Sequence, residues 1–199
     1  MKAGVASPNG VVIRDIPQAA IKKPTDILVK VKAIALNRAD LGAAKGDTSH
    51  GASTGGPIGS EYSGDVIEVG SEVRDFKPGD RVIAFSSYGA FAEECLVQAA
   101  RLVPMPDAMD FVTGAAFLLT YGTSHHALVN RAAPKPGETL LVLGAAGGVG
   151  IAAIEIGKIL GLRVIACASS AANCFSSVER CVASADSAEH ITYEVCVYS

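Results

Sequence analysis

Leu143-Gly144-Ala145-Ala146-Gly147-Gly148-Val149-Gly150 places four glycines within eight residues. Just before it, Thr139-Leu140-Leu141-Val142-Leu143 is a continuous apolar run, the pattern of a parallel strand covered on both faces. Just after it, Val149, Ala152, Ala153, Ile156 and Ile159 recur at helical spacing, and Gly161 supplies a stop. Arg163 to Ala168 reads as a second strand. Strand, glycine turn, helix and strand in that order predict one βαβ unit of a doubly wound parallel sheet. The glycines have a specific use: a diphosphate approaching backbone amides at a helix N-terminus needs space that a Cβ would fill. An ordinary βα turn with small residues would also be rich in glycine. The buried strand before and the amphipathic helix after are the context that favours a nucleotide site.

The second strand bears on which nucleotide. Sites for NAD usually carry Asp or Glu at its end to hold the ribose 2′-hydroxyl. Here the chain reads Ala168-Ser169-Ser170. Two hydroxyls without a carboxylate suit a 2′-phosphate, so NADP(H) is the expected cofactor, although these two serines fit a plain loop equally well. Asn173 stands where a Lys or Arg would be wanted, and Arg163 is expected at the far end of the strand. The cofactor-binding candidates from this segment are Ala145, Ala146, Gly147, Gly148, Val149, Gly150, Ser169 and Ser170.

Working outward, residues 1–105 read as a β-rich domain. Ile27 to Ile34 alternates in part with Lys30 and Lys32 on the wet face, and Tyr62–Gly70, Arg81–Phe85 and Ala90–Val97 follow as strands. Pro8-Asn9-Gly10, Gly55-Gly56-Pro57 and Lys77-Pro78-Gly79-Asp80 punctuate them, which suggests a partly open barrel. Residues 106–136 connect, with a helix predicted from Asp107 to about Asn130 and closed by Pro134 and Pro136-Gly137. Residues 137–199 hold the βαβ unit and, after residue 170, a tail rich in Ser, Ala and Cys. Its one periodic stretch, Ile191–Val197, reads as a strand.

Composition narrows the function classes. The 199 residues are 49% hydrophobic and 19% charged, with a formal net charge of -3. That excludes disorder and gives no basic surplus for nucleic acid. No apolar stretch is long enough to span a bilayer, and Met1-Lys2-Ala3-Gly4-Val5 carries no signal core. Five cysteines without paired spacing argue for a reducing compartment. A cytoplasmic protein that acts on a small molecule, and not on nucleic acid or membrane, is expected.

Several further segments carry a resemblance. Ala35-Leu36-Asn37-Arg38-Ala39-Asp40, Pro57-Ile58-Gly59-Ser60-Glu61-Tyr62-Ser63-Gly64, Phe76-Lys77-Pro78-Gly79-Asp80-Arg81-Val82, Gly89-Ala90-Phe91-Ala92-Glu93 and Thr120-Tyr121-Gly122-Thr123 appear in order ahead of the glycine turn. Together they resemble the quinone oxidoreductase (zeta-crystallin-like) branch of the medium-chain dehydrogenase/reductase superfamily. The resemblance implies a GroES-like barrel followed by a Rossmann domain, here C-terminally truncated and incomplete. It implies NADPH in the cleft between the domains, and hydride transfer to a quinone or an activated double bond. It also allows a homodimer.

The same resemblance sharpens the site. Where zinc-containing relatives carry Cys and His, this chain has Asn37 and Ser60, and Ile83 to Gly89 offers no cysteine lobe, so no metal is expected. Asn37 and Asp40 resemble polar cleft residues of the zinc-free branch, and Thr120 resembles a residue that touches the nicotinamide. The bland alternatives are a loop amide for Asn37 and a surface acid for Asp40. Leu41-Gly42-Ala43-Ala44 lacks the tyrosines that several relatives place there. Tyr62 is the nearest substitute, with a core or barrel-surface role as its alternative. Two functions stay open. One is a zinc-independent NADPH-dependent reductase of quinones or enones. The other is a truncated, non-catalytic remnant that at most binds, because a sheet of two or three strands leaves an apolar edge unpaired.

Overall fold

The computed structural model describes residues 1–8, 10–45, 56–86, 88–168, 180–183 and 195–198, the last two segments by their backbone. The chain divides into two compact units, Met1–Leu118 and Leu119–Ser199.

The first unit is built on antiparallel strands. β1 (Lys2–Ser7) and β2 (Gly10–Asp15) form a hairpin, and Gly10 takes φ 104° at its turn. There follow β3 (Asp26–Ala35), α1 (Arg38–Ala44), β4 (Glu61–Val69), β5 (Arg81–Phe85), β6 (Glu94–Gln98), β7 (Leu102–Pro104) and the short α2 (Phe111–Ala115). The five later strands make one sheet in the order β6-β3-β4-β5-β7. Alternation along β3 does what it should. Val29 enters the core with Val66, Val82 and Tyr62, while Lys30 and Lys32 stay exposed and pair with Glu94 at 3.7 Å and Asp65 at 3.3 Å.

The strand predicted over Ala90–Val97 begins only at Glu94. The residues before it serve β1 instead: Gly4 N–H donates to the Phe91 carbonyl at 2.7 Å, and Ala3 bridges Ala92. The long helix predicted from Asp107 also differs. The Arg81 guanidinium donates to the carbonyls of Pro106, Asp107 and Met109, which holds that segment out of a helix. Asp110 then caps α2 through the Thr113 N–H at 2.7 Å. After α2 the turn tightens to three-residue bonds at Ala116 and Phe117 before a new helix, α3 (Leu118–His125), begins.

In the second unit α3 runs into a π-helical turn, His126–Ala132, which ends where Ala133 takes φ 45°. β8 (Thr139–Leu143), α4 (Gly148–Ile159) and β9 (Arg163–Ala168) form the expected βαβ unit, with β8 and β9 parallel. Leu140 and Val142 pack with Ala153, Val164 and Leu128 into one apolar cluster. The tail contributes more than the single strand anticipated. β10 (Arg180–Ala183) pairs parallel to β9, and β11 (Val195–Tyr198) pairs antiparallel to β8, giving the order β10-β9-β8-β11. Both flanks of the β8–β9 pair are therefore occupied, where two or three strands with an open apolar edge had been expected. No helix among the described residues is long and apolar enough to cross a membrane.

Candidate nucleotide and substrate sites

The glycine turn lies at the carboxyl end of β8. Gly144 takes φ 63°, a conformation that L side chains rarely adopt. Ala145 N–H donates to the Cys167 carbonyl at 2.9 Å, which ties the turn to β9. Gly147 is the residue before α4, and the Ile151 N–H donates to its carbonyl at 2.9 Å. The amides of Gly148, Val149 and Gly150 precede that first helical bond, so they have no acceptor within the helix. Three such donors at the positive end of a helix are suited to an anion.

Two glycines are required by contact. A Cβ on Gly150 would lie 2.5 Å from the Gly144 carbonyl oxygen and 2.7 Å from the Ala145 Cα. A Cβ on Gly148 would lie 2.7 Å from the Thr120 methyl. Gly148 is exposed and Gly150 buried, as expected if one keeps an approach open and the other lets helix pack on strand. Ala145 is buried, Ala146 exposed and Val149 half-buried. Thr120, on α3, thus stands beside the turn. Two neighbours on α3 complete the contact with α4: Ser124 Oγ donates to the Val149 carbonyl at 2.8 Å, and Tyr121 Oη donates to Glu155 at 2.5 Å. Ser169 and Ser170 lie outside the described residues. β9 ends at Ala168 without a carboxylate, and Arg163 begins that strand, at the end opposite the turn.

In the first unit the structure brings Asn37 and Asp40 together and adds Glu61 to them. Asn37 precedes α1, and its N–H donates to Asp40 Oδ2 at 2.7 Å in a capping box. Its side-chain Nδ2 donates to Glu61 Oε2 at 3.3 Å. Asp40 is 8% exposed and Glu61 fully buried. Burial pushes the Asp40 carboxyl above its ordinary pKa, and the Asn37 N–H opposes this in part. A buried acid next to an amide can exchange a proton with a bound carbonyl compound. β4 also carries Asp65 and Glu68, so the carboxylate of Glu61 at its head gave no distinct sequence signal of a role as partner to Asn37. Among the described residues no three His, Cys, Asp or Glu side chains cluster as a metal would need.

Tyr62 is not brought to this group's surface. It is fully buried in the core of the first unit, and its hydroxyl finds no hydrogen-bond partner. Burial, with the Cys95 thiol nearby, pushes its pKa well above the ordinary value. An unsatisfied buried hydroxyl costs about 1–3 kcal/mol. Tyr62→Phe should therefore raise the urea midpoint, by a stability gain of about 1 kcal/mol; a lower midpoint would show that the hydroxyl is bonded.

Residues 23–107 match the family described as the alcohol dehydrogenase GroES-like domain. Quinone oxidoreductase-like protein 2 of Bos taurus is 37% identical over 76% of this chain and 44% of its own length. The chain spans about half the length of the curated relatives it matches. Among solved structures, the quinone oxidoreductase of Pseudomonas syringae pv. Tomato DC3000 is 34% identical, with a TM-score of 0.76, over 86% of this chain and 54% of that one. Mycobacterial Rv1454c, solved in complex with NADPH, is 30% identical with a TM-score of 0.82, over 92% of this chain and 58% of that one.

Proposed function

Because this chain belongs to the quinone oxidoreductase-like branch of the medium-chain dehydrogenase/reductase superfamily, we propose that it acts in a zinc-independent, NADPH-dependent reduction of a quinone or an activated alkene. The observation that carries this reading is the cradle at Gly148 and Gly150, where added Cβ atoms would meet Thr120 and the Gly144–Ala145 backbone.

The residues present fit the cofactor. The amides of Gly148, Val149 and Gly150 would hold the diphosphate. The absence of a carboxylate in the Ala168-Ser169-Ser170 sequence favours a 2′-phosphate over a free 2′-hydroxyl. When bound, NADPH supplies the hydride. The rest falls to the chain's own groups. Asn37 Nδ2 keeps one N–H beyond its bond to Glu61, free to orient a substrate carbonyl. Asp40, with its raised pKa, is the proton donor of this reading. Tyr62, enclosed in the core, holds the strand beneath them and does not reach substrate.

A second reading is a protein that binds NADPH without turnover, because the glycine cradle by itself accounts for binding and not for reduction. One pair of measurements separates the two. NADPH at about 100 times its Kd should stabilise the folded chain by about 2.7 kcal/mol, a rise in melting temperature of roughly 5 °C or more, with a smaller rise from NADH. Oxidation of NADPH by an added quinone, followed by absorbance, then tests turnover. A cooperative melt that NADPH leaves unmoved would sink both readings.

A further inference from the structure

Ser124 has no part in the reading above, yet it is a fully buried polar side chain against the nucleotide turn. It lies four residues after Thr120 on α3, so the two share one helix face. Both meet the first turn of α4: the Thr120 methyl blocks any Cβ on Gly148, and Ser124 Oγ donates to the Val149 carbonyl at 2.8 Å. A serine within a helix commonly returns its hydroxyl proton to its own helix, four residues back. Ser124 directs it to another helix.

The Val149 carbonyl and the Gly150 N–H are two ends of one peptide group. A donor at the oxygen draws electron density toward it and makes the N–H a stronger donor in turn. This is the cooperative effect that strengthens linked hydrogen bonds by about 10–30% each. Gly150 N–H is one of the three amides without a helical acceptor. Its Cα lies so close to the turn that an added Cβ would meet the Gly144 oxygen at 2.5 Å and the Ala145 Cα at 2.7 Å. The peptide is therefore packed against the turn on one side and polarised by a hydroxyl on the other.

We propose that Ser124 is a positioning residue for the cofactor diphosphate, acting through the Val149–Gly150 peptide to orient and strengthen the Gly150 N–H as a donor. This rests on the NADPH reading and adds a residue to it. It requires Ser124 to change cofactor affinity without touching the cofactor.

The test is calorimetric titration of the whole chain with NADPH, for wild type, Ser124→Ala and Ser124→Thr, with the melt of each cofactor-free protein. Ser124→Ala should weaken binding roughly 3- to 10-fold while melting cooperatively, and Ser124→Thr, which keeps the hydroxyl, should restore it. In the cofactor-free protein, Ser124→Ala should also move the Gly150 amide proton resonance upfield, and Ser124→Thr should return it. A merely structural serine would lower the melting temperature without selecting that resonance. Unchanged affinity in Ser124→Ala, or a loss with the Gly150 resonance unmoved, overturns the proposal. A wild-type chain that binds no NADPH overturns the cofactor reading and this role with it. The wild-type titration tells those failures apart.

Discussion

Gly150→Ala is expected to abolish measurable NADPH binding and to destabilise the second unit by at least about 3 kcal/mol. A methyl group there would meet the Gly144 oxygen at 2.5 Å and the Ala145 Cα at 2.7 Å. Both are backbone atoms, so no rotamer change relieves the clash. Ala145 is in turn bonded to the Cys167 carbonyl, so retreat of the turn would break its tie to β9. The first turn of α4 must instead lift away, which moves all three free amides together. Chemical denaturation reads the stability change, and titration with NADPH reads the affinity. Full-affinity binding by Gly150→Ala would mean that the turn is looser than its contacts require.

Gly64→Ala is expected to have an effect at least as large, confined to the first unit. Gly64 lies within β4 and pairs with Val31 on one side and Val82 on the other. Its Cβ would fall 2.1 Å from the Lys30 carbonyl oxygen and 2.9 Å from the carbon that bears it. The register between β3 and β4 already shifts between Val31 and Ala33, so the strands approach closely where no side chain intervenes. Forcing them apart would open the layer formed by Val29, Val66 and Val82. Loss of about 3 kcal/mol or more is a large part of the roughly 5–15 kcal/mol by which domains are stable. Loss of the cooperative transition of the first unit, seen by near-ultraviolet circular dichroism, is the outcome to look for. A melt like that of wild type would refute it.

Much of this architecture was legible because it repeats. The run Thr139–Leu143 marked β8 as a strand, but only Leu140 and Val142 are buried, in the cluster with Ala153 and Ile154 of α4. Thr139, Leu141 and Leu143 are half-buried, so the expected cover on both faces is found in full on one. Lys30 and Lys32 mark the wet face of β3 by alternation alone. What escaped notice depends on contacts distant in sequence. β1 reads Lys-Ala-Gly-Val-Ala-Ser, a weak strand by propensity, and is held by Phe91 and Ala92 from far along the chain. The break ahead of α2 follows from one guanidinium on β5 that no local pattern announces. Period-two alternation places Tyr62 on a strand but does not say whether that face is core or surface, and the core has it. In the nucleotide turn the glycines declared themselves. Ser124 did not, because a single serine in a helix carries no pattern.

The antiparallel seat of β11 beside β8 also sets a schedule. Val195 pairs with Val142, more than fifty residues earlier. A ribosome adding about 5–20 residues per second needs roughly 3–10 s to make that stretch. The first unit has all its strands by residue 104 and can close while synthesis continues. The Thr139–Leu143 strand meanwhile waits with one edge bare, a short apolar β-prone segment of the kind that nascent chains must shield. Slower translation lengthens that exposure, so the yield of soluble protein should depend on synthesis rate through the second unit more than through the first.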